Sequence, residues 1–159
     1  MRAYALEKKI FRPISGIHHD SSHYEDDFDR KVDFGMRETV SHRQHYILES
    51  WLSGFMTQGI KGVLRVLLNC DDSLRIDRIV NRDEISVDEA KNHVFTREDN
   101  NRKKWQRMYG EQWQEWVLDA GTMIADQPID FWHPNLYDLL IDTYSHSKEE
   151  TLQLVLDKL

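Results

Sequence analysis

Apolar residues recur at four-residue steps through Phe28, Val32, Met36 and Val40, a spacing that predicts one apolar face on a helix over Glu25–His42. Before it, Met1–Ile10 reads as a short helix. Phe11–Ser22, punctuated by Pro13, Gly16 and a serine pair, reads as a loop. The apolar runs Tyr46–Leu48, Val63–Leu68 and Leu139–Ile141 have the composition of buried strands. Trp51–Met56 predicts a helical turn, and Gly59 and Gly62 bracket a break. A further helix is expected over Asp71–Asn81. Ser86 with Glu89 forms a capping box, in which the hydroxyl accepts a backbone N–H and the glutamate reaches back. The long helix it opens runs to about Tyr109, where Gly110 is expected to stop it in a left-handed cap. Glu111–Trp132 reads as an inserted helix plus a loop. Ser147 and Glu150 repeat the capping box and open a final helix. Strands alternating with helices predict an α/β fold with a parallel sheet.

Composition narrows the function classes. A chain of 159 residues supports one core and reads as a single domain. Its net charge of −7 argues against a binder of nucleic-acid polymers or anionic membrane surfaces, because phosphate backbones reward positive faces. Cys70 is the lone cysteine, so neither an intrachain disulfide nor a multi-cysteine zinc site is possible. No apolar run is long enough to span a bilayer, and the start of the chain has no signal-like apolar core. A reducing cytoplasm fits these features.

The chemistry concentrates in Arg75–Gly110. Arginines stand at Arg75, Arg78, Arg82, Arg97, Arg102 and Arg107 along a helical arm. Planar guanidinium forks in such an array suit several phosphate oxygens at once. The stretch, with its Ser-x-x-Glu cap, Arg97-Glu98 pair and terminal Tyr109-Gly110, resembles the lid of a nucleoside monophosphate kinase, and most closely the archaeal type of cytidylate kinase. Phe28–Asp33 followed by Tyr46–Ser50, and Tyr137–Thr143 followed by a serine-capped helix, are similar to other parts of that family in the same order. Met1-Arg2 resembles the end of the family's Gly-Asp-x-x-Arg turn.

The resemblance implies a P-loop kinase-like parallel sheet with helices on both faces and a helical lid over about residues 83–132. It implies phosphoryl transfer from ATP, with Mg2+, to CMP or dCMP. Catalysis of that kind is largely positioning and cationic stabilisation of spread charge. Arg97 and Arg102 are then the catalytic lid arginines, and Arg82 and Arg2 bind nucleotide. Lys103 and Lys104 add positive potential. No metal-ligand set is read from the chain: His18, His19, His23 and Asp20 cluster in a loop-like stretch, where a solvated polar loop is the plainer reading.

Two departures from the family pattern stand out. The sequence closest to a phosphate loop, Gly54–Lys61, sets its lysine one place late, has no Ser or Thr after it and leads into a strand. The resemblance therefore places the first strand and phosphate loop upstream of Met1, missing from this sequence. Where the family carries a phosphate-gripping arginine after Glu-Gly, this chain reads Glu49-Ser50-Trp51. An indole there removes both the charge and the fork. The alternative reading is a kinase-like binding or regulatory module without turnover. Lacking a central strand, the chain is expected to fold poorly, to pair its strands differently, or to complete its sheet with a partner chain or a second copy.

Overall fold

The computed structural model describes residues 26–159; the expected Met1–Ile10 helix, the loop after it, Arg2 and the His18, His19 and His23 group lie outside them. The elements in chain order are α1 (Asp26–His42), α2 (Ser53–Met56), β1 (Val66–Asn69), α3 (Asp72–Asp83), α4 (Val87–Met108) and α5 (Gly110–Trp113). A π-helical turn (Gln114–Leu118), a 3-10 turn (Pro134–Leu136), β2 (Leu139–Asp142) and α6 (Lys148–Leu156) complete them.

β1 and β2 pair in parallel, from Val66 opposite Leu139 to Asn69 opposite Asp142. Among the described residues these two strands form the sheet, so the chain is helix-rich with a small parallel sheet, in keeping with an α/β kinase-like fold. β1 begins later than its apolar run because Gly62 turns the chain at φ +74° and the Arg65 amide is already bonded to the Asp138 carboxylate at 2.8 Å. The strand expected at Tyr46–Leu48 is not formed. Tyr46 and Ile47 are exposed there, with no strand neighbour among the described residues, and apolar content makes a strand only where pairing and packing exist to use it.

The main core lies off the sheet. Leu52, Phe55 and Met56 around α2 pack on Trp105, Met108 and Tyr109 at the end of α4, and on Trp113, Val117, Phe131 and Leu136 beyond it. Gly54 lets α2 sit flush on this core: a Cβ at that position would stand 2.2 Å from the Tyr137 ring. A smaller apolar cluster, Ile76 with Ala90 and Val94, joins α3 to the first half of α4.

α1 is rolled away from the face its apolar spacing predicts. Phe28, Val32, Met36 and Val40 are only half-buried, whereas Asp29 and Asp33 are buried. The inward stripe is Asp29, Arg30, Asp33, Phe34 and Arg37, again at helical spacing. Charged residues can point inward because each finds a partner. Arg30 donates to the Met108 carbonyl at 2.5 Å, and Arg37 to the carbonyls of Met56 and Gln58 at 2.6 and 3.0 Å. Gly110 also departs from expectation. Tyr109 ends α4 at φ −119° and Gly110 opens α5, with no left-handed residue at the junction. No helix of the described residues is long and apolar enough to cross a membrane.

Candidate functional site

α4 carries the candidate arginines, and its start is set locally. Ser86 Oγ accepts from the Glu89 amide at 3.2 Å, and Glu89 accepts from the Ser86 amide at 3.0 Å. Asp88 and Glu89 in the first turn and Arg107 in the last suit the helix dipole. Both ends are anchored, the first half on α3 and the second in the main core.

Arg97 and Arg102 meet the same aromatic wall. The Arg97 guanidinium lies 5.2 Å from the Trp51 ring centre, and that of Arg102 lies 5.2 Å from Trp132. Trp51, Trp105 and Trp132 stand edge to face, with ring centres 5.7 to 6.1 Å apart. The Trp132 indole N–H donates to the Trp51 carbonyl at 2.9 Å, tying the two loops together. Trp105 is buried beneath them, while Trp51 remains partly open at 36% exposure. Two guanidiniums on one indole wall make a cationic surface suited to an anionic ligand with several oxygens.

The other arginines of the stretch are seated differently. Glu98 accepts from Arg75 at 2.9 Å and from Arg102 at 3.1 Å, joining α3 to α4. Arg82 forks onto its neighbour Asp83 at 2.7 and 2.8 Å, on the exposed end of α3. It is not brought to the Trp51 wall by any contact of its own. Arg78 bridges to the Thr143 hydroxyl and carbonyl, and Arg107 pairs with Asp26. Lys104 does not face solvent. It is 6% exposed, with its ammonium 2.9 Å from Asp29 and 3.5 Å from Asp26. Its charge is taken up inside the fold, in contrast to Lys103, which pairs with Asp99 on the surface.

A second polar group links α1 to the end of α4. The Tyr109 phenol donates to Asp33 at 2.6 Å. Burial pushes the Asp33 carboxyl up to about 6, with the phenol pulling the other way. Burial also raises Asp29, against the Lys104 ammonium, and raises the Tyr109 phenol. Asp26, by contrast, is held low by its hydrogen bond from Arg107. Sequence reasoning missed this group and the role of Trp132. The available signals were the four-residue spacing of Asp29 and Asp33 and the tryptophans of the Glu111–Trp132 stretch.

Gly54–Lys61 does not fit a phosphate cradle. It forms α2 and then a turn with Gly59 at φ +76°, its α2 glycine is pressed against Tyr137, and a strand follows. Such a segment aims no helix N-terminus at a phosphate. Asp71, just after β1, and Asp142, the last residue of β2, accept hydrogen bonds from Ser73 and from Tyr144 and Ser145 respectively. Among the described residues there is no group of three or more His, Cys, Asp or Glu placed to hold a metal. The described residues therefore carry a joined cationic and aromatic surface at Arg97, Arg102, Trp51 and Trp132, and among them no His, Cys, Asp or Glu group is placed to hold a metal.

Comparison with known proteins gives this arrangement its context. The sequence profile of the cytidylate kinase-like family matches residues 3–145. The cytidylate kinase of Sulfolobus acidocaldarius is 28% identical over 134 residues, covering 83% of this chain and 63% of that protein. That of Methanopyrus kandleri is 28% identical over 137 residues, covering 81% and 61%. That of Pyrococcus abyssi is 29% identical over 129 residues, covering 81% and 60%. The chain thus spans less than two thirds of the length of these curated relatives. No solved structure matches. With the family profile covering most of its length, the chain belongs to the cytidylate kinase-like family.

Proposed function

We propose that this chain supplies the lid and acceptor side of a nucleoside monophosphate phosphotransferase, which moves the terminal phosphoryl group of ATP to CMP or dCMP. The observation that carries the reading is the pair Arg97 and Arg102, both seated on the tryptophan wall of a chain in this family. The lid spans about residues 83–132, with α4 as its arm. Arg97 and Arg102 stabilise the charge that spreads over the transferring phosphoryl oxygens. Arg82 and Arg2 bind nucleotide phosphates. ATP with Mg2+ is the phosphoryl donor that the family implies; among the described residues no group of three or more His, Cys, Asp or Glu is placed to hold the metal.

A second reading has its own support. Trp51 occupies the place where the resemblance puts a phosphate-gripping arginine, and no described segment cradles a donor phosphate. A module that binds nucleotide without turnover fits both facts. One experiment separates the readings. Radiolabelled ATP with Mg2+ is offered with CMP, dCMP, UMP or AMP, and nucleotide binding is measured in parallel by calorimetry. Labelled CDP or dCDP, reduced by about a hundredfold in Arg97→Lys or Arg102→Lys, supports the phosphotransferase. Binding of CMP without product supports the module. A chain that takes no nucleotide overturns both.

A further inference from the structure

β1 has an open outer edge among the described residues. The Arg65 and Asn69 carbonyls accept from the Leu139 and Thr143 amides, so both residues turn their main-chain groups toward β2. Main-chain groups alternate from side to side along a strand, which turns those of Val66 and Leu68 outward. Among the described residues no strand meets that edge, and the Leu68 side chain beside it is 56% exposed. Val66–Asn69 carries no charge and no proline, the usual devices that keep an edge unpaired. Two strands are also too few for a stable sheet, and parallel strands are ordinarily covered.

We infer that β1 pairs with β1 of a second copy of this chain, antiparallel about a two-fold axis through Leu67, so that β2, β1 and their two mates form one four-stranded sheet. The register follows from which groups point outward. Val66 of each protomer faces the partner's Leu68, and each such pair exchanges two N–H···O bonds. Leu67 faces the partner's Leu67 as a non-hydrogen-bonded pair, with Cα atoms about 4.5 Å apart. Val66 and the partner's Leu68 then touch on one face of the sheet, and the two Leu67 side chains on the other. Charge favours β1 over β2 for this contact. Antiparallel pairing lays the start of one strand against the end of the other. Exposed Lys61 stands before β1 and exposed Asp71 and Asp72 after it, so ends of opposite sign meet. β2 has Asp138 before it and Asp142 at its end, so two copies of β2 would bring like charges together. The Asp142 carbonyl is moreover already engaged, 2.8 Å from His146 Nδ1. This pairing is independent of the nucleotide reading.

The test uses the whole chain. Sedimentation equilibrium is expected to show a dimer. Leu68→Lys sets a charge at the open position beside the edge and is expected to weaken the dimer by about tenfold or more. Register is read by cross-linking in a Cys70→Ser background. Leu67→Cys sits opposite its own copy at a Cα separation that a disulfide spans, and mild oxidation is expected to give a covalent dimer. Asn69→Cys faces the partner's Arg65 instead and is expected to stay largely unbridged. Should Leu68→Lys fail to fold, amide exchange in the wild type replaces it: the Val66 and Leu68 amides are expected to be protected when concentrated and to open on dilution. A wild-type chain that sediments as a monomer from micromolar to millimolar concentration overturns the inference. A dimer in which Leu67→Cys does not bridge, or bridges no better than Asn69→Cys, overturns it as well.

Discussion

Tyr109, the residue that closes α4, donates its phenol proton to Asp33 in the middle of α1 at 2.6 Å. Both groups are buried, so the hydrogen bond joins two helices through a carboxyl kept out of water.

This carboxyl sets a pH dependence of known sign. Asp33 titrates near 6 in the fold against an ordinary 3.8, with burial as the main cause. Between those values the folded chain holds more protons than the unfolded one. Its contribution to stability is therefore greatest below about pH 4 and declines as pH rises through about 6. Asp33→Asn keeps an acceptor for Tyr109 and removes the titration. Across that window the wild type is expected to lose up to about 3 kcal/mol relative to the variant. Urea unfolding at pH 4.5, 5.5 and 7 measures the gap; a gap that does not change with pH would refute the assignment.

Lys104 lies in the same layer, with its ammonium on Asp29. Removing one partner of a buried pair leaves the other charge without compensation. Lys104→Met is expected to cost about 3–5 kcal/mol, whereas Lys104→Met combined with Asp29→Leu is expected to recover most of it. Equal losses in the single and double variants, read from denaturant midpoints, would show that the uncompensated Asp29 charge is not the source of the cost.

Gly54 is defined by what faces it. A methyl group there overlaps the Tyr137 ring, whose hydroxyl is fixed on the Phe131 carbonyl at 2.9 Å. Since the ring cannot swing aside without losing that bond, Gly54→Ala is expected to cost about 1–3 kcal/mol. Paired with Tyr137→Leu, the two losses should fall short of their sum. Additive losses in a double-mutant cycle would place the strain elsewhere.

Local chemistry was legible in the sequence wherever a few neighbouring residues settle the outcome. The capping boxes at Ser86 and Ser147 formed as their spacing requires, and α3, α4 and α6 follow from them and from Asp71. The run Leu139–Ile141 became β2, and the family resemblance held over most of the chain. What failed depends on partners far away in the sequence. Tyr46–Leu48 has the composition of a strand and, among the described residues, no neighbour to pair with. α1 turned its charged stripe inward because Lys104, Tyr109 and the carbonyls of Met56 and Met108 came to meet it, and apolar periodicity carries no record of such partners. Gly110 could have ended α4 in a left-handed turn, but the packing of Tyr109 and Trp113 in one core carries the chain onward in short helical turns. The candidate site follows the same division. The sequence by itself determined that arginines would be arrayed on a capped helix. Only the tertiary structure decided that Arg97 and Arg102 lie over Trp51 and Trp132, because those indoles stand on segments distant in sequence that only the fold brings to α4.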